Sequence, residues 1–432
     1  MHLQGESYII PGMTLTDHEF QVPLDHRRPS GEQITVFARH VVAPEKEGDD
    51  LPWLAFFQGG PGFRSPRPAG RNGWLGRALK EYQILLLDQR GTGCSSPLNY
   101  QTLARLATTH DQADYLKHFR ADSIVQDAEL IRLALLGEEE RWSALGQSYG
   151  GFCLAHYLSV APHGLKEAIF TGGLPPLDRS PDQVYRATYQ RVIEKNQRYY
   201  QRYPGDIARA QEIAAFLADN RVLLPGGGVL SPRRFQQLGL AFGESDGFEQ
   251  VHYLLEIAFV RGGAGRELSY KFLRGFENAL PFEISPIFAI LHEAIYCQGM
   301  ASNWSAQRVR SEYPEFTIAP GKPVLFAGEM IYPWMFDEYE YLSPMKDAAE
   351  HLAAYANWPR LYDAAVLQSN SVPCVAAVYY DDMYVERAFS EEMAQNIQGI
   401  KLWVTNEYDH NALRADGGRV LDRLLGMLHG QT

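Results

Sequence analysis

The sequence predicts an α/β fold in which a mostly parallel sheet is flanked by helices and interrupted by a large helical insertion. Three observations carry that prediction. Short apolar runs of strand length alternate with helix-length amphipathic segments from about residue 50 to 175, the pattern of a parallel sheet covered on both faces. Nearly every apolar run ends in a glycine-rich or polar loop. After Pro175-Pro176 buried strands become scarce for almost two hundred residues, and then they return.

Taken in order, His18 to Val22 and Ile34 to Val42 read as an antiparallel hairpin around the turn-rich Pro23–Gly31 segment. Leu51 to Phe57 is a continuous apolar strand that ends in Gln58-Gly59-Gly60-Pro61-Gly62. Tyr82 to Leu87 is another, ending in Asp88-Gln89-Arg90-Gly91-Thr92-Gly93-Cys94-Ser95-Ser96. Residues 120–136 place Ile124, Ala128, Ile131 and Leu135 at helical spacing, with Asp122 near the positive end of the helix dipole.

Next comes Trp142 to Leu145 as a short strand, the turn Gly146-Gln147-Ser148-Tyr149-Gly150-Gly151, and a helix from Phe152 that packs one apolar face. Leu165 to Phe170 is the following strand. Residues 177–370 read as a mostly helical cap inserted between 1–176 and 371–432. Its helices include Tyr185 to Tyr203, Gly247 to Val260 and Ile287 to Tyr296, and Pro323 to Ala327 is its one strand candidate. Val375 to Tyr379 and Gly399 to Val404 resume the sheet, and Gly418 to Leu428 closes the chain as a helix.

Composition narrows the partners. Forty Lys and Arg stand against 52 Asp and Glu, a formal charge of −12, and no basic cluster relieves it, which argues against nucleic acid or an anionic membrane. No apolar run approaches the roughly 20 residues of a membrane span, and the first residues lack a basic-then-apolar pattern, so a cytoplasmic protein is expected. Cys94, Cys153, Cys297 and Cys374 are widely spaced without a CxxC pair; buried reduced thiols are expected, with neither a disulfide framework nor a zinc site. The GxxxxGK[ST] phosphate loop is absent as well. No cofactor or metal is expected.

The chemistry is read from three strand ends. A serine held between Gly146 and Gly150 on a strand-to-helix turn is strained so that its hydroxyl projects. A serine hydroxyl is a weak nucleophile at neutral pH and needs a general base, which in turn needs a carboxylate to fix its tautomer. In a sheet enzyme of this kind the chain order is serine, acid, histidine. The last two strands supply Asp381-Asp382 and then His410. Backbone N–H groups of the Gly59–Gly62 loop and of Tyr149, directly after the serine, are the expected oxyanion donors.

Gly59-Gly60-Pro61-Gly62, Asp88-Gln89-Arg90-Gly91-Thr92-Gly93 with Ser95, and Gly146-Gln147-Ser148-Tyr149-Gly150-Gly151 together resemble the proline iminopeptidase (prolyl aminopeptidase) family of α/β-hydrolases, especially its larger-cap members. The likeness spans about 50–175 and 372–415. It implies an α/β-hydrolase fold and release of N-terminal proline from short peptides through an acyl-enzyme, without metal. By motif it implies Ser148 as nucleophile, His410 as base, and Gly60 and Tyr149 as oxyanion donors. Asp382 is the acid that the family's strand-end pattern favours, with Asp381 the alternative. Gln58 stands where many members have histidine, so the loop is expected to be anchored differently.

The resemblance also implies cap glutamates that receive the substrate's cationic imino group. Glu293 and Glu329 lie among apolar neighbours, a costly position for a carboxylate unless it is paired or used, and are the candidates. Tyr185 and Tyr189 are candidates for lining a pyrrolidine pocket or for packing the cap core. The same triad would serve a tripeptidyl-type aminopeptidase or a carboxylesterase. A non-catalytic ligand-binding relative would be expected to lack a triad member.

Overall fold

The computed structural model describes residues 1–263 and 265–431. Nine strands form the main sheet: β1 (His2–Ile10), β2 (Met13–Pro23), β3 (Gln33–Val42), β4 (Trp53–Phe57), β5 (Gln83–Leu87), β6 (Trp142–Gln147), β7 (Leu165–Thr171), β8 (Cys374–Tyr379) and β9 (Lys401–Thr405). Their order is β1-β2-β3-β5-β4-β6-β7-β8-β9. The first three strands pair antiparallel and β3 meets β5 antiparallel, whereas every pairing from β5 to β9 is parallel.

Alternation of side chains along the strands builds two cores, one per sheet face. In β4, Leu54 and Phe56 pack with Trp74, Val420, Leu421 and Leu424 on one face. Ala55 and Phe57 face the other way, into the larger core with Phe152 and Tyr157. The main helices here are α1 (Ala121–Leu136), α2 (Tyr149–Val160), α3 (Pro181–Arg202) and α4 (Gly417–Leu428). Strand order reverses at β4, whose neighbours are β5 on one side and β6 on the other. A crevice opens at the carboxyl ends of strands that flank such a switch point.

Between β7 and β8, residues 177–370 add no strand to the main sheet; helices dominate, with two small hairpins. Arg120, at the start of α1 and fully buried, joins this helical region to the sheet part. Its guanidinium donates to the carbonyls of Ala294 at 3.1 Å, Cys297 at 2.6 Å and Pro359 at 2.8 Å. No described helix is long and apolar enough to cross a membrane.

Several sequence expectations need correction. The strand β1 was not legible, because its residues are exposed on both faces; pairing with β2, and not burial, holds it. Pro323 to Ala327 is not a strand. Its backbone bonds go to helix-borne groups instead, Phe326 N–H to Asn196 Oδ1 and Ala327 N–H to the Gln236 carbonyl. The helix from Gly247 stops at Glu256, and Phe259–Gly262 then pairs with Gly265–Leu268.

The segment expected as one helix from Ile287 to Tyr296 splits into Pro286–Leu291 and a tighter 3-10 turn at Glu293–Tyr296. Helix α2 is buried almost all round, not on one face, because the 361–363 segment covers its outer side: the Leu361 carbonyl meets His156 Nδ1 at 2.5 Å and Asp363 N–H donates to Ser159 Oγ at 3.1 Å. Cys94 is exposed, unlike the buried Cys153, Cys297 and Cys374, and none of the four forms a disulfide.

Candidate active site

Ser148 sits between β6 and α2 with φ 54° and ψ −124°. A side-chain-bearing residue rarely adopts positive φ, so surrounding structure must hold it there. Close packing supplies that constraint. A Cβ on Gly150 would stand 1.9 Å from the Phe57 carbonyl oxygen, and one on Gly151 would stand 2.3 Å from that of Gly173. The start of α2 is therefore pressed against the ends of β4 and β7. Tyr149 opens α2, so its N–H has no carbonyl within its own helix to reach.

The loop after β4 is fastened by side chains. Gln58 accepts from Gly59 N–H at 2.9 Å through Oε1 and donates to the Arg64 carbonyl at 3.2 Å through Nε2. Gln89 Nε2 donates to the Gln58 carbonyl at 2.9 Å. The Asp88 motif is scaffolding for the same corner. Buried Asp88 accepts from Ser65 N–H at 3.0 Å and Cys94 N–H at 2.9 Å, and pairs with Arg67. Arg90 is buried in an ion pair with Asp127 and also donates to the carbonyls of Pro23, Leu24 and His118.

The ends of β8 and β9 bring Asp382 and His410 together, both buried. Asp382 Oδ1 accepts from the N–H groups of Tyr384 at 2.8 Å and Val385 at 3.1 Å, and Oδ2 lies 2.7 Å from His410 Nδ1. Burial works against a charged His410, but the Asp382 carboxylate, its hydrogen bond, and Glu329 and Glu244 farther off outweigh it, so the ring ionises above its ordinary value. Tyr384 packs edge-on against the imidazole at 4.8 Å, and the backbone N–H of His410 donates to the Gly243 carbonyl at 3.1 Å. Asp381 turns to Arg198 at 2.8 Å, and that hydrogen bond draws its carboxyl below the usual range.

Sequence reasoning missed how α3 grips these loops. Arg191, Lys195 and Arg198 lie on one helix face at spacings of four and three, and pair with Glu386, Asp409 and Asp381 respectively. Each acidic partner is a near neighbour in sequence of Asp382 or His410. The helical spacing of the three cations was visible; their partners, nearly two hundred residues away, were not.

A cavity of about 1190 Å³ opens at the carboxyl edge of the sheet, and Gly60, Ser148, Glu329, Tyr384 and His410 all line it. The two glutamates separate here. Glu329 is on the cavity wall, and burial, with Asp382 adding and His410 opposing, pushes its carboxyl up to about 8. Its nearest basic neighbour, His292 Nε2, is 3.8 Å away, and burial drives that ring down to about 3, so it is neutral.

Glu293 is not on the cavity wall. Its carboxylate, put forward from the sequence as an amine-binding candidate, is engaged in capping the helix Ser305–Arg310, accepting from Ser305 N–H at 3.0 Å and Ala306 N–H at 2.8 Å. Tyr189 is also committed elsewhere, its hydroxyl 2.9 Å from both the Ala306 carbonyl and the Tyr332 hydroxyl. Tyr185 is buried against Tyr296. Among the described residues no group of three or more His, Cys, Asp or Glu side chains is placed to hold a metal ion.

Comparison with known proteins gives the family. Residues 52–219 match the model of the alpha/beta hydrolase fold family. A proline iminopeptidase of Aeromonas sobria is 49% identical over 97% of this chain and 97% of its own. Proline iminopeptidase aneH of Aspergillus aculeatus is 35% identical over 96% of this chain and 94% of its own. Among solved structures, a proline iminopeptidase of Mycobacterium smegmatis aligns over 96% of this chain and 98% of that one, at 12% identity and a TM-score of 0.46. With two relatives at these identities over nearly the full length of both partners, the chain belongs to the proline iminopeptidase family of α/β-hydrolases.

Proposed function

We propose that this family member releases N-terminal proline from short peptides through a Ser148–His410–Asp382 triad, with residues 177–370 as a cap over the site. The observation that carries the reading is one cavity lined by the strained serine, the buried imidazole paired to Asp382, and a carboxylate without a charged partner, Glu329. In this reading Ser148 Oγ attacks the carbonyl carbon of proline while His410 Nε2 takes its proton. Asp382 keeps the proton on Nδ1 and stabilises the imidazolium that results.

The backbone N–H groups of Gly60 and Tyr149 donate to the developing oxyanion. His410 then returns its proton to the leaving amine, which leaves proline esterified to Ser148. Water, deprotonated by His410, attacks that ester and frees proline and the serine. Glu329 receives the cationic imino group, and its charge appears when the cation offsets the burial that otherwise keeps it protonated. Four cysteines without a disulfide suit a reducing compartment such as the cytoplasm.

The test is kcat/KM on proline, alanine and leucine arylamides with free amino ends, on N-acetylated proline arylamide, and on a short-chain aryl ester. Preference for free proline, lost on acetylation, is the expected result. Turnover of the ester alone would move the function to an esterase on the same triad.

A further inference from the structure

The cavity's charges are unequally matched. Three arginines line it, Arg64, Arg67 and Arg414. Arg67 is paired with Asp88 and Arg414 with Glu244. Arg64 has no acidic partner among the described residues, although the chain carries an excess of 52 acidic over 40 basic groups. Its backbone is held, because the Arg64 carbonyl accepts the Gln58 amide at 3.2 Å. Arg64 is an exposed residue of the cavity lining.

We propose that Arg64 binds the C-terminal carboxylate of short peptide substrates, so that a zwitterionic peptide spans the cavity between Glu329 and Arg64. The inference rests on the aminopeptidase reading and names its substrate class: peptides a few residues long with a free carboxyl end. Chain geometry supports the span. Arg64 lies four residues after Gly60, so their Cα atoms are at most about 14 Å apart, whereas two or three extended residues beyond the scissile bond cover about 7–11 Å.

The flexible arginine stem closes the remaining gap. A guanidinium recognises a carboxylate through paired N–H donors, and one that begins without an acidic partner breaks no ion pair in doing so. Apolar residues Phe63, Pro66 and Ile284 line the same cavity and make no charge demand on the peptide's intervening side chains.

The experiment compares wild type, Arg64→Ala and Arg64→Lys on Pro-Gly-Gly with a free C-terminus, on its C-terminal amide, and on proline arylamide. Wild type should favour the free acid over the amide by about three- to tenfold in kcat/KM, as expected for one partly exposed ion pair. That preference should sit in KM and shrink as salt is raised. Arg64→Ala should erase it, and Arg64→Lys should restore part of it. Equal use of acid and amide by wild type, or an equal loss on all three substrates in Arg64→Ala, would overturn the proposal. Failure of wild type on proline arylamide itself would instead remove the aminopeptidase reading and this inference with it.

Discussion

Asp382 Oδ2 stands 2.7 Å from His410 Nδ1, while the adjacent Asp381 is tied to Arg198. Two neighbouring carboxylates thus have different partners, set by which side of the β8 end each faces. Replacing Asp382 by Asn would present an amide to Nδ1 and favour the wrong tautomer, so kcat should fall about a thousand- to ten-thousand-fold. Asp381→Asn breaks only a half-exposed pair and should cost activity a few-fold at most. The two rate constants, measured side by side on one substrate, check the assignment.

Ser148→Ala should lower kcat by at least about ten-thousand-fold. Relief of the positive φ is slight with alanine, so far-UV circular dichroism and the thermal midpoint should stay near those of wild type. Retained turnover would remove Ser148 as nucleophile.

Glu329 gives a stability effect with a definite sign. Its carboxyl is raised from 4.5 to about 8 in the fold, so between those values the unfolded chain releases a proton that the folded chain keeps. Stability therefore falls as pH rises through that window. Glu329→Gln removes the loss: its thermal midpoint should match wild type near pH 4 and exceed it near pH 9. The same variant should lose about ten- to a hundredfold in kcat/KM on free-amine substrates, the size of one charge-assisted hydrogen bond, and far less on a neutral ester.

For Glu293 the expectation is reversed. Glu293→Ala leaves the N–H groups of Ser305 and Ala306 without their acceptor, at a cost of about 1–3 kcal/mol in stability. Free-amine and ester substrates should be affected alike. Chemical denaturation together with the two-substrate comparison separates this helix-capping role from amine recognition.

Gly150→Ala should prevent a native fold from forming, since the added Cβ meets the Phe57 carbonyl at 1.9 Å, and backbone of both α2 and β4 would have to move apart. Loss of soluble expression, or a collapse of the thermal midpoint, is the expected readout.

Much of the molecule was legible because it rests on local pattern. The apolar runs of β4, β5 and β8, and the mostly apolar β6 and β7, announced strands of a covered sheet. The glycines around Ser148 announced a turn too tight for side chains, and Asp381, Asp382 and His410 were found as polar residues just past strand ends. β1 was missed because its strand state comes from a partner's hydrogen bonds, which leave no period in its own residues. Pro323 to Ala327 misled for the opposite reason: it is apolar and buries Val324, Phe326 and Ala327, yet its backbone bonds to Asn196 and Gln236.

The sequence by itself determined the fold class and put forward a serine, a histidine and two adjacent aspartates as candidates, because each depends on residue type and spacing along one segment. Only the tertiary structure put Asp382 beside His410 and Asp381 beside Arg198, placed Glu329 but not Glu293 on the cavity wall, and left Arg64 without an acidic partner among the described residues while pairing Arg67 and Arg414. A carboxylate or guanidinium has the same formula wherever it stands. What it does depends on which donors, charges and solvent reach it, and those come from segments hundreds of residues away.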